Sequence, residues 1–307
     1  MNSVSKLIRE VSNEITSKQL VKYLPPRRRF FGRNDFINNV YNLMTKPTCQ
    51  RILLYGVPGV GKSACALEIG HLLTACDKYQ NIIWINCQSM IISNGEIVSS
   101  INAVRDVHDI IHEIAMLIKA ENIPKLPDIE QRQMIGLQLA SNRSLLIIDA
   151  IDELRDSLSN QFFASLPDSV DILATSRLKD TWEKQIEIAP FHVNDPYFVQ
   201  ILNSETRKRK IKLDQIEQRE YINLSEGIPQ TLIWIIDLFS QGLERRDIIS
   251  HIEDPNSSLS NFYFDRQWKY LESNSEIKKA AIVIALAQPI VIAQFHLYLE
   301  FSRCILA

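Results

Sequence analysis

The chain has 307 residues, 46% of them hydrophobic and 23% charged, which calls for two or three globular domains and excludes a disordered chain. A formal charge of −2 excludes a protein that is basic throughout and coats nucleic acid along its length. Five cysteines without a CxxC pair, behind a polar N-terminus, read as reduced thiols of a cytoplasmic protein. The most apolar stretch, Ala280 to Ala293, is broken by Gln288-Pro289 and falls short of the roughly 20 residues of a membrane span.

In chain order, Val4, Leu7, Ile8, Val11, Ile15 and Leu20 recur at helical spacing within residues 4–23, and Pro25-Pro26 stops the pattern. This predicts an N-terminal helix and linker over residues 1–28, with Arg27-Arg28-Arg29 as a solvated basic run. A second helix follows Phe30-Phe31-Gly32-Arg33, capped by Asn34 or Asp35, with Phe36, Ile37, Val40 and Leu43 on its apolar face. Strands are expected at Arg51–Tyr55, Ile82–Asn86, Ser144–Asp149, Val170–Thr175 and Gln185–Ile188. Helical patterns lie between them: after Lys62, near Val107–Ala120, near Ile129–Ala140 and near Asn160–Ser165. Such alternation predicts an α/β fold with a doubly wound parallel sheet over residues 29–190, and ligands bind such sheets beyond the carboxyl ends of the strands. From Asp195 onward only helical patterns remain (Asp195–Asn203, Asp214–Ser225, Gln230–Gln241, Arg245–Ile252), predicting a small helical domain over 191–254. Asp254-Pro255-Asn256-Ser257-Ser258 reads as a linker, and the chain stops inside an apolar pattern at Cys304-Ile305-Leu306-Ala307, as a partial third domain over 255–307 would.

The chemistry concentrates after the first central strand. Gly56-Val57-Pro58-Gly59-Val60-Gly61-Lys62-Ser63 matches GxxxxGK[ST], the P-loop, between an apolar strand and a helix that opens on Ala64. Glycines let successive backbone N–H groups turn toward an anion, and the helix N-terminus adds positive potential. Lys62 then reaches the β- and γ-phosphates of ATP, or the β-phosphate of ADP, and the Ser63 hydroxyl holds Mg²⁺. The expected nucleotide contacts in this loop are Gly56, Pro58, Gly59, Val60, Gly61, Lys62, Ser63 and Ala64.

About ninety residues later, Leu145-Leu146-Ile147-Ile148-Asp149 is an apolar strand ending in an acid. This Walker B pattern delivers one carboxylate, Asp149, to the Mg²⁺ shell. Asp152 and Glu153 follow on the next turn, where either could orient an attacking water or cap a helix. Arg177, at the tip of Ile172-Leu173-Ala174-Thr175-Ser176-Arg177, is placed to sense the γ-phosphate. Gly227-Ile228-Pro229 is explained by a helix ending and another beginning.

The order of Phe31-Gly32-Arg33, the P-loop, Leu145–Asp149, Thr175-Ser176-Arg177 and Gly227-Ile228-Pro229 resembles the NB-ARC branch of the STAND P-loop ATPases, which includes apoptosome scaffolds and plant disease-resistance proteins. The likeness spans residues of about 29–255. One departure lies in the Walker B: Asp149 is followed by Ala150, and Asp149-Ala150-Ile151-Asp152-Glu153 is more similar to the sister NACHT branch. A second is Gln230, where leucine is usual. The resemblance implies that Phe31 and Arg33 lie by the nucleotide, that Pro229 packs near the adenine, that Arg177 is the sensor, and that residues 255–307 begin a winged-helix-like domain. It further implies a slow ATPase that acts as a switch in a defence or cell-death-like pathway, closed with ADP and a homo-oligomer with ATP, with an effector or sensor supplied in trans. Two other readings stand beside it: an interaction module holding ADP without turnover, and a nucleic-acid-dependent AAA+-type ATPase using Arg207-Lys208-Arg209-Lys210 as its basic patch.

Overall fold

The computed structural model of the chain describes residues 21–93, 96–100, 103–120, 122–154 and 157–253. The expected winged-helix-like segment 255–307 and most of the expected N-terminal helix lie outside the described residues. The described residues divide into two compact units. One comprises 21–56, 62–89, 103–120, 122–154 and 157–187; the other comprises 57–61, 90–93, 96–100 and 188–253.

The first unit is built on a six-stranded, all-parallel sheet. Its strands are β1 (Val21–Tyr23), β2 (Arg51–Tyr55), β3 (Asn81–Asn86), β6 (Ser144–Asp149), β7 (Asp171–Ser176) and β8 (Lys184–Glu187), in the order β1-β3-β6-β7-β2-β8. The helices are α1 (Asn34–Met44), α2 (Lys62–Leu73), α3 (Val107–Leu117), α4 (Asp128–Ser141) and α5 (Ser157–Ser165). Every residue of β6 and β7 is buried, which is why both read as near-continuous apolar runs rather than alternating ones. Leu146 and Ile148 join the core formed with Val107, Ile111 and Ile114 of α3 and Ile135 and Leu139 of α4. Ile147 points to the opposite face, where α2 crosses β6 so closely that a Cβ on Gly70 would sit 2.7 Å from Ile147 Cδ1. That approach is what glycine at position 70 permits.

At the amino ends of the strands, Asp171 is 2% exposed and accepts hydrogen bonds from Gln50 N (2.8 Å), Lys78 Nζ (2.5 Å) and Tyr79 Oη (2.5 Å). This network fixes the start of β7 against the loop before β2 and leaves the carboxyl ends to the site.

The second unit contains α6 (Pro196–Arg209), α7 (Gln215–Leu224), α8 (Pro229–Ser240) and α9 (Arg245–Glu253), together with the hairpin β4 (Met90–Ser93) and β5 (Glu96–Ser99). Local chemistry sets the helix starts. Asp195 caps α6 by accepting from Tyr197 N at 2.8 Å, and Asp214 with Glu217 forms a capping box on α7. Pro229 occupies the first turn of α8, where its missing N–H costs nothing.

Four sequence expectations differ from these elements. Val21–Tyr23 forms a strand rather than a helical turn, because it pairs in parallel with Asn81–Ile83. The β4–β5 hairpin was not expected. Helix α1 already begins at Asn34, after Arg33 in left-handed backbone (φ 58°), so neither Asn34 nor Asp35 is its cap. Helix α6 runs on through Arg209, placing most of the basic cluster on its last turn.

Candidate nucleotide-binding site

The P-loop begins directly at the end of β2. Gly59 (φ 75°) and Gly61 (φ 105°) hold backbone conformations that a side chain disfavours, and Val60 N donates to Val57 O to close the turn. Lys62 opens α2, and its Nζ donates to Gly56 O at 2.8 Å, folding the side chain across its own loop. Ser63 and Ala64 follow on the first turn of the helix.

The end of β6 delivers Asp149 to the same place. Asp149 is 4% exposed, and its carboxylate is hydrogen bonded by Ser63 and by Thr175 Oγ1, the latter at 2.6 Å. Burial pushes its pKa up, while the two hydroxyl donors and the Lys62 charge act in the opposite direction. A buried carboxylate held toward its neutral form gains most from a cation. The donor set, one carboxylate and one hydroxyl, is the hard-oxygen chemistry of Mg²⁺, which takes few protein ligands and completes its shell with water and phosphate. Among the described residues no cluster of three His, Cys, Asp or Glu side chains offers an alternative metal site. Ser63 and Asp149 therefore fit Mg²⁺.

Thr175 is a site residue that the sequence reading passed over. Its Oγ1 donates to Asp149 and also accepts from Ala150 N at 2.8 Å, so one hydroxyl fixes both the carboxylate and the turn behind it. That turn is tight: Ala150 lies in left-handed backbone (φ 60°) before the short helix Ile151–Glu153. The available signal was a polar residue directly after the apolar run Ile172-Leu173-Ala174 of a buried strand, one pair beyond the Ile148–Ala174 register.

Beyond this turn, Asp152, Glu153 and Arg177 form one cluster. Arg177 Nε donates to Asp152 Oδ2, Arg177 N donates to Asp152 Oδ1 at 3.3 Å, and Nη2 lies 3.4 Å from Glu153 Oε1. Glu153 Oε2 also accepts from Ser89 N at 2.8 Å and from Ser89 Oγ. Both acids are thus engaged by fixed protein donors, and Arg177 is held by them.

The remaining expected contacts lie as follows. Arg33 comes close enough to Cys65 on α2 that its charge acts on the thiol, which burial pushes up to about 12. Phe31 lies under Arg29, whose guanidinium is 4.9 Å from the ring centroid, and Arg27 pairs with Glu68 on α2, so two of the three N-terminal arginines have structural partners. Within the second unit, Gln230 N donates to Gly59 O at 3.2 Å, bringing Pro229 next to P-loop backbone. Gly227 (φ 74°) is required there, because a Cβ would fall 1.8 Å from Phe191 O. In the basic cluster on α6, Lys208 and Arg209 are paired with Glu205, and Arg209 also with Asp237.

The sequence profile of the NB-ARC domain matches residues 33–195. No curated protein matches the chain. Among solved structures, the Walker-type ATPase PABY2304 of Pyrococcus abyssi superposes with a TM-score of 0.52 at 16% identity, covering 84% of this chain and 81% of that one. Cdc6p from Pyrobaculum aerophilum gives a TM-score of 0.48 at 15% identity over 70% of this chain and 61% of its own. Orc1 of Aeropyrum pernix, solved in complex with DNA, gives 0.49 at 17% identity over 73% and 65%. At these identities the likeness to PABY2304 concerns the fold: a P-loop ATPase α/β sheet. Among the described residues no helix is long and apolar enough to cross a membrane.

Proposed function

This chain belongs to the NB-ARC domain family of P-loop NTPases, and from that premise we propose that it is a cytoplasmic nucleotide-controlled switch of the STAND type. In this reading it binds ATP or ADP with Mg²⁺, hydrolyses ATP slowly, and passes between an ADP-held resting state and an ATP-held oligomerising state. The observation that carries the reading is the convergence of Lys62, Ser63 and Asp149 at the P-loop, beside an arginine from the next strand tip. Lys62 is assigned to the terminal phosphates and Arg177 to the γ-phosphate. Mg²⁺, held by Ser63 and Asp149, supplies neutralisation of phosphate charge. Arg33 and Pro229 are assigned to the nucleotide by the family pattern.

A switch works through differential affinity: a nucleotide shifts the equilibrium only by binding one state more tightly than the other. Signalling in a defence or cell-death-like pathway, with an effector or sensor recruited in trans, follows from the family reading.

The test starts with freshly purified protein, denatured so that released nucleotide can be identified by chromatography. Gel filtration with ADP and with a non-hydrolysable ATP analogue follows. Bound ADP and a larger species only with the ATP analogue are expected. An unaltered elution volume with every nucleotide would remove the switch.

One observation favours a second reading, an ADP-holding module without turnover: Asp152 is bonded by Arg177, and Glu153 by Ser89 with Arg177 alongside. Phosphate release that stays at background for hours, alongside strong thermal stabilisation by ADP, would select it. Turnover that disappears in Asp149→Ala would exclude it.

A further inference from the structure

The cluster at the carboxyl ends of β3, β6 and β7 carries an inference of its own, which rests on the nucleotide-switch reading. We propose that Asp152 and Glu153 are positioning residues forming a releasable clamp on Arg177, that Ser89 sets the clamp's strength, and that the clamp governs discrimination between nucleoside triphosphate and diphosphate.

Three strand ends meet in this cluster. Arg177 leaves the tip of β7 with its side chain 15% exposed, between two carboxylates whose side chains are each 9% exposed. Charge-assisted bonds to Nε and the nearby Nη2 orient the guanidinium toward the Ile151–Glu153 turn. Glu153 is held from its other side by the Ser89 amide and hydroxyl, just beyond β3, so it cannot swing with the arginine.

The clamp is incomplete. Nη1 is buried without a hydrogen-bond acceptor, and the Nη2 contact to Glu153 is long at 3.4 Å. A guanidinium with an unsatisfied donor retains capacity for one more anion, whereas a saturated one would be a structural pin. A γ-phosphate competes with Asp152 and Glu153 for this arginine, and a diphosphate lacks that group. Weakening the clamp should therefore improve ATP binding relative to ADP. The same geometry gives Asp152 a positioning role, since both of its oxygens are engaged by Arg177, and Glu153 one too, since Ser89 holds its Oε2 and leaves Oε1 to the arginine.

The experiment measures ATP and ADP affinities by calorimetry, with single-turnover hydrolysis in parallel, for the full chain and for Asp152→Asn, Glu153→Gln and Ser89→Ala. Each is repeated in an Arg177→Gln background, and thermal melts report folding. In the arginine-containing series the preference for ATP over ADP should rise about fivefold or more, a typical coupling between interacting sites. The effect of Ser89→Ala, which leaves every charge in place, should be smaller and of the same sign. In the Arg177→Gln background all three effects should vanish.

Hydrolysis lost while the ATP-to-ADP preference stays within twofold would overturn the clamp and assign the acids to catalysis. Effects that persist without Arg177 would overturn it in favour of simple charge repulsion. An unmutated chain that binds neither nucleotide would overturn the switch reading and the clamp with it. Nucleotide binding with unchanged discrimination in every variant overturns the clamp alone.

Discussion

Thr175 and Gly227 show how a single residue is read differently from sequence and from structure. The hydroxyl of Thr175 bonds both Asp149 and the amide of Ala150, so replacing it removes an orienting donor from a buried carboxylate. Thr175→Val should therefore weaken Mg²⁺-dependent nucleotide binding about tenfold, a scale common for groups that orient a metal ligand, while Mg²⁺-free binding changes little. Thr175→Ser should restore most of the loss. Titrating nucleotide with and without Mg²⁺ separates these outcomes, and an equal loss under both conditions would show that Thr175 supports the fold only. Gly227 had a sufficient local explanation as punctuation between helices. The structure adds the 1.8 Å approach of its missing Cβ to Phe191 O. Gly227→Ala should cost about 2–4 kcal/mol in the denaturant unfolding of the helical unit, since backbone strain and overlap act together. The P-loop residues were legible because their spacing is itself the chemistry. Thr175 and Ser89 were not, since their roles depend on which strand ends meet.

At the scale of elements, long periodic segments were readable and short ones were not. Strands β2, β3, β6, β7 and β8 stood out as apolar runs between helical patterns, and their observed limits lie within one residue of those expected. Strand β1 has three residues, too few to show a period, and exists because β3 offers an edge. The hairpin carried a usable sign, Asn94-Gly95 between Met90-Ile91-Ile92 and Ile97-Val98, a pair that favours the tight turn of two-residue hairpins. Helix α6 shows a charged cluster changing its meaning. Arg207-Lys208-Arg209-Lys210 suggests a patch in sequence, yet Arg209 binds Glu205 on its own helix and Asp237 on α8. Burial alone would raise the pKa of Glu205, but hydrogen bonds from Lys208 and Arg209 more than offset it, and the net shift is downward. A depressed carboxylate contributes stability that is fully present above its unfolded value of 4.5 and fades as the pH falls through its lower folded value. Acid titration followed by far-UV circular dichroism should show this loss below about pH 4.5, and Glu205→Gln should flatten it. An identical acid midpoint in the variant would show that the network contributes nothing to stability.

For the whole molecule, nucleotide binding and folding are coupled quantities, and Lys62 is where they can be separated. Its Nζ donates to Gly56 O from a partly buried position, whereas the core of the sheet unit rests on fully buried apolar residues of β2, β6 and β7 with helices α3 and α4. Lys62→Ala removes the bond to Gly56 O and the charge assigned to phosphate, and leaves the apolar residues of that core in place. The variant should keep the melting temperature of the unliganded protein within a few degrees, as surface changes of about 0.5 kcal/mol do. It should also lose the ligand-induced rise. For the unmutated chain, ADP at about 1,000 times its dissociation constant should add about 4 kcal/mol to folding stability. Thermal melts with and without ADP therefore give four curves, of which three coincide and the fourth, the unmutated chain with ADP, lies higher. If the variant melts with ADP as the unmutated chain does, phosphate is held without Lys62 and the assignment of this lysine is wrong. If all four coincide, ADP does not engage the P-loop, and the nucleotide-switch reading fails at its first step. The wild-type shift also fixes how far a nucleotide can act on this protein, because no conformational change it drives can draw on more free energy than its differential binding supplies.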